Sequence, residues 1–197
     1  MAGKTEKRKQ ELRQKLIEAA ERQIVSGGVA GVKARDLAAE AGCALGAIYN
    51  VFDDLNALVM EVNGRTFRKL GIRVAGSLSG SDGEPPVARL IRMSNAYLAF
   101  ASENTNLWRA LFDLEMTNEM PVPEWYLKEL QQLFAHIARP VSELFPDLTP
   151  EDLDLMTRAL FSSVHGIVLL GLQNRISGVS RGNIEKMIGH VLRKIGN

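Results

Sequence analysis

Apolar residues recur along the chain at the three- and four-residue spacing of helices, and no stretch shows the alternation that predicts a β-strand. The first predicted helix carries Leu16 and Ile24 on one face and stops at Gly27-Gly28. The same spacing predicts further helical segments over residues 34–40, 45–51, 54–75, 87–102, 108–116, 124–144, 150–168 and 184–195. The pattern therefore predicts an all-α protein of about nine helices.

A run rich in Gly and Ser, from Gly76 to Gly83, is followed by Pro85-Pro86 and forms the clearest break in the chain. It predicts two parts, an N-terminal domain over residues 1–54 and a C-terminal domain over residues 76–197. A helix over about residues 54–75, capped by Asp53 or Asp54, would connect them.

Composition narrows the class of protein only slightly. The 197 residues carry a net charge of +1, so the whole molecule has no strong field for a nucleic acid or a membrane. A single cysteine excludes a disulfide framework within the chain. The N-terminus lacks the apolar stretch of a secretory signal, and the strongly apolar segment 161–172 is shorter than a bilayer span. We therefore expect a cytoplasmic protein without a membrane segment.

The charge is distributed unevenly along the chain. Residues 1–75 hold 13 Lys and Arg against 9 Asp and Glu, whereas the remainder is net acidic. A basic arm at the N-terminus consists of Lys4, Lys7, Arg8 and Lys9. Such an arm can approach phosphates without making the whole protein adhesive. The alternative is a solvated, frayed helix start.

Residues 29–58 contain two short helices joined by a tight turn between two longer helices, which is the plan of a helix-turn-helix. Gly42 would end the first short helix, and Ile48 and Phe52, four positions apart, would pack inward from the second. The residues left to point outward are Leu45, Gly46, Ala47, Tyr49 and Asn50.

The outward set has the chemistry of a nucleic-acid contact. A Tyr49 hydroxyl can donate to a phosphate, and an Asn50 amide can form two hydrogen bonds with an adenine edge. Small residues such as Gly46 would let the helix backbone approach another surface closely. The alternative is a small helical subdomain in which Tyr49 is a half-buried core residue.

The segment RDLAAEAGCALGAIYNVFDDLNAL, residues 35–58, resembles the DNA-binding domain of the tetracycline-repressor (TetR) family of bacterial regulators. The positions that match the family pattern in register are Leu37-Ala38, Ala41-Gly42, Gly46, Ile48-Tyr49, Phe52 and Leu58. The Val164-His165-Gly166 stretch is similar to a Trp-His-Gly stretch in the C-terminal domains of one subgroup.

Three positions depart from the family pattern at places where it usually contacts phosphate or caps a helix. Lys33 stands in place of Thr, Ala44 in place of Ser, and Leu55 in place of Lys or Arg. Lys33 and the basic arm could replace the missing phosphate contacts.

The resemblance implies a homodimer that places the second short helix of each subunit in the major groove of a palindromic operator. It implies a regulator, usually a repressor, that a small-molecule effector releases from DNA by shifting the population of two conformations. Lys33 and Tyr49 would position the protein on the backbone. The candidates for reading base edges are Arg35, Leu45, Ala47 and Asn50.

The last two helices are the predicted dimerisation element, because the resemblance implies an intersubunit four-helix bundle. Gly166 and Gly171 within an otherwise apolar helix suggest a close helix contact. The interface candidates are Leu160, Val164, Val168, Gly171, Ile184, Met187, Ile188 and Val191. The alternative is that both helices belong to the core of a monomer.

Aromatic residues cluster in the segment where family ligands enter, which suggests a hydrophobic or aromatic effector. The pocket candidates are Tyr97, Phe100, Trp108, Phe112, Met116, Trp125, Phe134 and His165. These aromatics could instead be ordinary core residues, and His165 a packed histidine with a satisfied partner.

The inventory of reactive residues does not suggest an enzyme, a metal site or a cofactor. Three histidines and Cys43 are scattered, and no nucleophile elbow, phosphate loop or metal-binding helix is present in the sequence. The second candidate function is a helical dimeric interaction module with a vestigial DNA-binding head, which the missing phosphate contacts would favour.

Overall fold

The computed structural model describes residues 2–114, 122–173 and 178–195, and these contain nine α-helices and no β-strand. The prediction of an all-α fold is confirmed. The helices are α1 (Ala2–Gly27), α2 (Ala34–Ala41), α3 (Leu45–Ile48), α4 (Leu55–Ser77), α5 (Pro86–Glu103), α6 (Thr105–Asp113), α7 (Glu124–Leu144), α8 (Pro150–Gly171) and α9 (Arg181–Ile195).

Helices α4 and α8 begin at side-chain caps that the sequence had indicated. Oδ1 of Asp54 accepts a hydrogen bond from the backbone N–H of Ala57 at 2.7 Å, which begins α4. Thr149 Oγ1 accepts from the N–H of Asp152 at 3.2 Å and begins α8, with Pro150 in the first turn. Both caps satisfy N–H groups that a helix leaves without an internal partner.

The chain divides into two compact units, and the first comprises Met1–Arg68 and Asn104–Tyr126. Its core holds the inward faces of α1, α2 and α3, the N-terminal half of α4, and Leu107 and Ala110 of α6. Asn63 of α4 is fully buried and donates from Nδ2 to the Ala110 carbonyl at 2.8 Å. That carbonyl lies in the last turn of α6, where helical carbonyls lack internal partners.

The second unit comprises Lys69–Glu103 and Leu127–Asn197. Within it α5 packs against α8 and α9, and α8 and α9 pack against each other. The contacts thus divide the chain differently from the predicted boundary near residue 76, since α6 packs with the N-terminal helix α1. Sequence periodicity could not show this, because α6 is amphipathic whichever neighbour it covers.

Among the described helices, α8 alone is long and apolar enough to cross a membrane by length and composition. One such helix is weak evidence, because core helices of other proteins meet the same criterion.

The close approach of Trp125 to α4 gives a stability test with a built-in control. A Cβ at Gly64 would lie 2.6 Å from Cζ3 of Trp125, whereas a Cβ at Gly71 of the same helix meets no atom within 4 Å. Gly71→Ala should raise the free energy of unfolding by about 0.5–1 kcal/mol through helix propensity. Gly64→Ala should lower it, because the indole must shift.

Thermal melts and tryptophan emission check this pair of variants. Trp108 is fully buried, so a change in emission on Gly64→Ala would report on Trp125. Equal stabilisation by both alanines would contradict the expected contact.

Candidate functional site

The turn between α2 and α3 follows from Gly42, whose φ of 68° lies in the left-handed region. The Cys43 N–H donates to the Ala38 carbonyl at 2.9 Å, which closes the end of α2. No side chain caps α3, because Ala44 occupies the cap position. The α-helix ends at Ile48, and its carbonyl accepts from the N–H groups of both Val51 and Phe52. The predicted helix over residues 45–51 is therefore one short helix followed by a turn.

The two sides of this short segment have opposite environments. Ile48 and Phe52 are buried in the core of the first unit. Tyr49 is 51% exposed and Leu45 is 44% exposed. We define the recognition face as the outward set, of which Ala47 is half-buried and the others exposed: Leu45, Gly46, Ala47, Tyr49 and Asn50. The alternative of a half-buried core tyrosine is therefore not what the structure shows.

Arg13 of α1 contacts both Phe52 and α4. Its guanidinium lies over the Phe52 ring, 4.6 Å from the centroid, and forms an ion pair with Glu61 of α4. A second ion pair joins Arg22 of α1 to Glu40 of α2 at 2.5 Å. These contacts join α2, Phe52 and α4 to α1, and the buried packing of Ile48 and Phe52 supports the recognition face.

The residues outside α3 that bear on the predicted DNA contact have different environments. Lys33 is exposed, and its backbone N–H donates to Oε1 of Gln23 at 3.1 Å. Arg35 is exposed as well. Leu55 is half-buried and packs against the core of the first unit. The basic arm is exposed along the first turns of α1 at Lys4, Lys7, Arg8 and Lys9.

The second unit contains a cavity of about 50 Å³ with an almost wholly apolar wall. Its wall comes from the end of α4 and from α5, α7, α8 and α9. Beside it, the Tyr97 hydroxyl and Nδ1 of His165 lie 2.7 Å apart. The His165 ring stacks on Phe161 at a centroid distance of 5.7 Å, and burial lowers the pKa of His165, which favours a neutral imidazole.

Comparison with protein families matches both parts of the chain. The description "Bacterial regulatory proteins, tetR family" matches residues 16–62, and "Tetracyclin repressor-like, C-terminal domain" matches residues 90–194. The chain belongs to the tetracycline-repressor family. It is a DNA-binding transcriptional regulator, and its family is one of regulators rather than enzymes. A comparison with curated proteins gave no match.

Solved structures of TetR-family and related proteins share the fold over nearly the whole chain. A protein of unknown function from Rhodococcus sp. RHA1 has a TM-score of 0.73 and 21% identity, covering 94% of this chain and 93% of its own. RolR in complex with resorcinol has a TM-score of 0.67 and 19% identity, with coverages of 97% and 95%. The TetR-family regulator PfmR from Thermus thermophilus has a TM-score of 0.59 and 18% identity, with coverages of 91% and 96%.

The structure divides the predicted pocket residues of this TetR-family regulator between its two units. Tyr97 lines the cavity of the second unit, and His165 and Phe134 join it through ring contacts with Phe161. Phe100 is buried in the same unit. Sequence reasoning missed Phe161, although its spacing of four from His165 on one helix could have revealed it.

The remaining pocket candidates belong to the first unit, apart from Met116, which lies outside the described residues. Trp108 is fully buried and makes an edge contact with the half-exposed Phe112 at 5.8 Å. The Trp125 ring lies against Gly64. The seven candidates that the structure describes therefore do not line one cavity within either unit.

Most of the predicted dimer residues of the regulator turn out to face their own subunit. The residues buried in the core are Leu160, Val164, Val168, Ile184 and Ile188. Gly171 approaches Ile184, because a Cβ there would lie 2.7 Å from that side chain. These assignments to an intersubunit surface were wrong, since the apolar pattern does not distinguish the two apolar faces of α8. Met187 and Val191 are exposed, as an interface requires.

A different face of α8 is open. Leu155 and Leu170 are 58% and 57% exposed, near the two ends of the helix. A Cβ at Gly166 meets no atom within 4 Å. We define the outer stripe as the residues that recur at this helical spacing on the open face: Leu155, Ala159, Ser162, Gly166 and Leu170.

Proposed function

We propose that this TetR-family regulator is a cytoplasmic, homodimeric repressor that binds a palindromic operator and is released by a small, hydrophobic or aromatic effector. The observation that carries the proposal is the recognition face, which is exposed while Ile48 and Phe52 anchor the same segment in the core. A short helix with a solvated face and a rigid base fits a major groove.

Each exposed residue of the recognition face, together with Lys33, Arg35 and the basic arm, has a proposed role in DNA binding. Tyr49, Lys33 and the basic arm bind phosphates and set the register on the duplex. Asn50 and Arg35 donate to base edges, and Leu45 and Ala47 contact thymine methyl groups. Gly46 has no side chain to hold the helix away from the bases. Because Leu55 packs inward, the basic arm takes a larger share of the phosphate contacts.

The outer stripe is the proposed dimer surface, together with Met187 and Val191 of α9. Its small central residues allow two α8 helices to approach closely, and Leu155 and Leu170 supply apolar contact near both ends. An interface of α8 and α9 also accounts for the apolar composition of α8 without a membrane.

The effector is proposed to act by favouring a dimer form whose two heads do not fit successive grooves. Affinity for the operator then falls by the ratio of the effector's affinities for the two forms. The fourth helix, α4, runs from the first unit into the second and is the proposed lever.

A mobility-shift titration with the DNA flanking the chain's own gene tests the function. We expect a specific complex that survives excess unrelated duplex and contains two protomers. Purified dimer that shows no preference for that DNA over competitor would instead favour the interaction module with a vestigial head.

Neutralising the basic arm should weaken binding to all DNA sequences alike. In a variant with Lys4, Lys7, Arg8 and Lys9 changed to Gln, each lost phosphate contact should reduce the slope of log K against log salt by about 0.9. Operator and unrelated DNA should lose affinity by similar factors, as measured by fluorescence anisotropy across salt concentrations. A loss confined to the operator would assign the arm to base reading instead.

A further inference from the structure

The cavity of the second unit has walls that constrain the chemistry of an occupant. Among the eleven residues that line it, Ser94 and Tyr97 alone carry polar side chains, and none is charged. An ionised ligand would lose its hydration there without gaining a counter-charge, which is strongly unfavourable. We therefore expect an uncharged ligand in this cavity.

The polar groups of the cavity wall offer a hydrogen-bonding position for one hydroxyl group of a ligand. The Ser94 hydroxyl donates its proton to the Leu90 carbonyl at 2.8 Å, so it has no proton left to donate to a ligand. The Tyr97 oxygen, 2.7 Å from Nδ1 of His165, can accept as well as donate, because a phenolic oxygen has both capacities. Phe161 meets the Tyr97 ring edge-on at 5.8 Å and stacks on His165, so both polar side chains are held in place.

The size of the cavity sets a further limit. About 50 Å³ is well below the roughly 150 Å³ that holds a benzene molecule in a protein core. A single ring therefore enters only if the wall moves outward, and Met93 is the most adaptable side chain in it.

We infer that this cavity takes a small, uncharged, single-ring compound with one hydroxyl group, which bonds to the Tyr97–His165 pair while the ring displaces the apolar wall. The inference rests on the proposed effector-controlled repressor and specifies the class of its effector. Tyr97 and His165 are the residues that determine specificity for the hydroxyl.

Three probes of similar shape test the class by isothermal titration calorimetry on the full chain. Phenol should bind about fivefold more tightly than toluene, which lacks the hydroxyl. Benzoate, which carries a charge, should not bind detectably. Equal or tighter binding of benzoate would overturn the inference.

Variants locate the site independently of DNA. Tyr97→Phe should abolish the preference for phenol over toluene while leaving toluene binding unchanged, whereas Tyr126→Phe, in the first unit, should change neither. Leu133→Ala removes part of the cavity wall and should tighten the binding of both ring compounds. If neither the wild type nor Leu133→Ala binds phenol, the inference is wrong.

Operator affinity, measured separately, distinguishes failure of the inference from failure of the proposed function. If the chain binds its operator but not phenol, the proposed repressor function stands and the inferred effector class is wrong. If the chain binds phenol in a Tyr97-dependent way but binds no operator, the inferred ligand site stands and the proposed repressor function is wrong.

Discussion

Arginine near both ends of the outer stripe, in the variant Leu155→Arg/Leu170→Arg, is expected to convert the dimer to folded monomers. Both leucines are more than half exposed in the subunit, so their replacement should change its own stability little. Across a twofold axis the bulky, charged arginines would replace the apolar contacts of both leucines, which is unfavourable in an interface.

Loss of the dimer should also lower the affinity for the operator. Two linked heads gain about 10²- to 10⁴-fold over one head through effective concentration, so a monomer should lose at least about 100-fold. Sedimentation velocity gives the oligomeric state, and circular dichroism confirms the fold. Ile72→Arg is the matched control, because Ile72 is 74% exposed and lies on α4, a different helix from the stripe. A double variant that remains dimeric would exclude the outer stripe as the interface.

The variant Tyr49→Ala/Asn50→Ala is expected to lose about a thousandfold in operator affinity while its melting temperature stays unchanged. Each contact from these residues should contribute at least about 1 kcal/mol, and a dimer makes four of them, which gives about 4 kcal/mol. Because both side chains are solvated, their truncation should leave the core intact.

Single changes separate the roles within this pair. Tyr49→Phe keeps the ring and removes only the proposed phosphate contact, so it should weaken all sequences alike. Asn50→Ala should relax the preference at one base pair of each half-site. Gln132→Ala, an exposed change on α7, is the control for both. Unchanged affinity in the double variant, or a melt lowered by several degrees, would mean that the face has another role.

The helix-turn-helix is the part of this molecule that local sequence predicts well. Gly42 ends α2 because a left-handed residue is needed there, and Asp54 caps α4 through one hydrogen bond. The spacing of Ile48 and Phe52 assigns one side to the core, which leaves Tyr49 and Asn50 outside. These features depend on neighbours a few residues apart, so the sequence contains all the information they require.

The dimer and ligand residues were predicted less well because their roles depend on which distant helix covers each apolar face. Leu160 and Leu170 are both leucines of α8, yet one packs in the core and the other is exposed. Trp108 and Tyr97 lie eleven positions apart and belong to different units. Periodicity identifies an apolar face but does not identify the surface that it contacts.

The sequence by itself determined the helices, their caps, the head and its outward residues, because hydrogen bonds and spacing within one or two turns control these. Tertiary structure alone decided that α6 packs with the first unit and that Phe161 orders the Tyr97–His165 pair. It also decided that α8 leaves the outer stripe open. Each of these features depends on contacts between residues far apart in the chain. Which apolar face is buried there depends on how all the helices pack together.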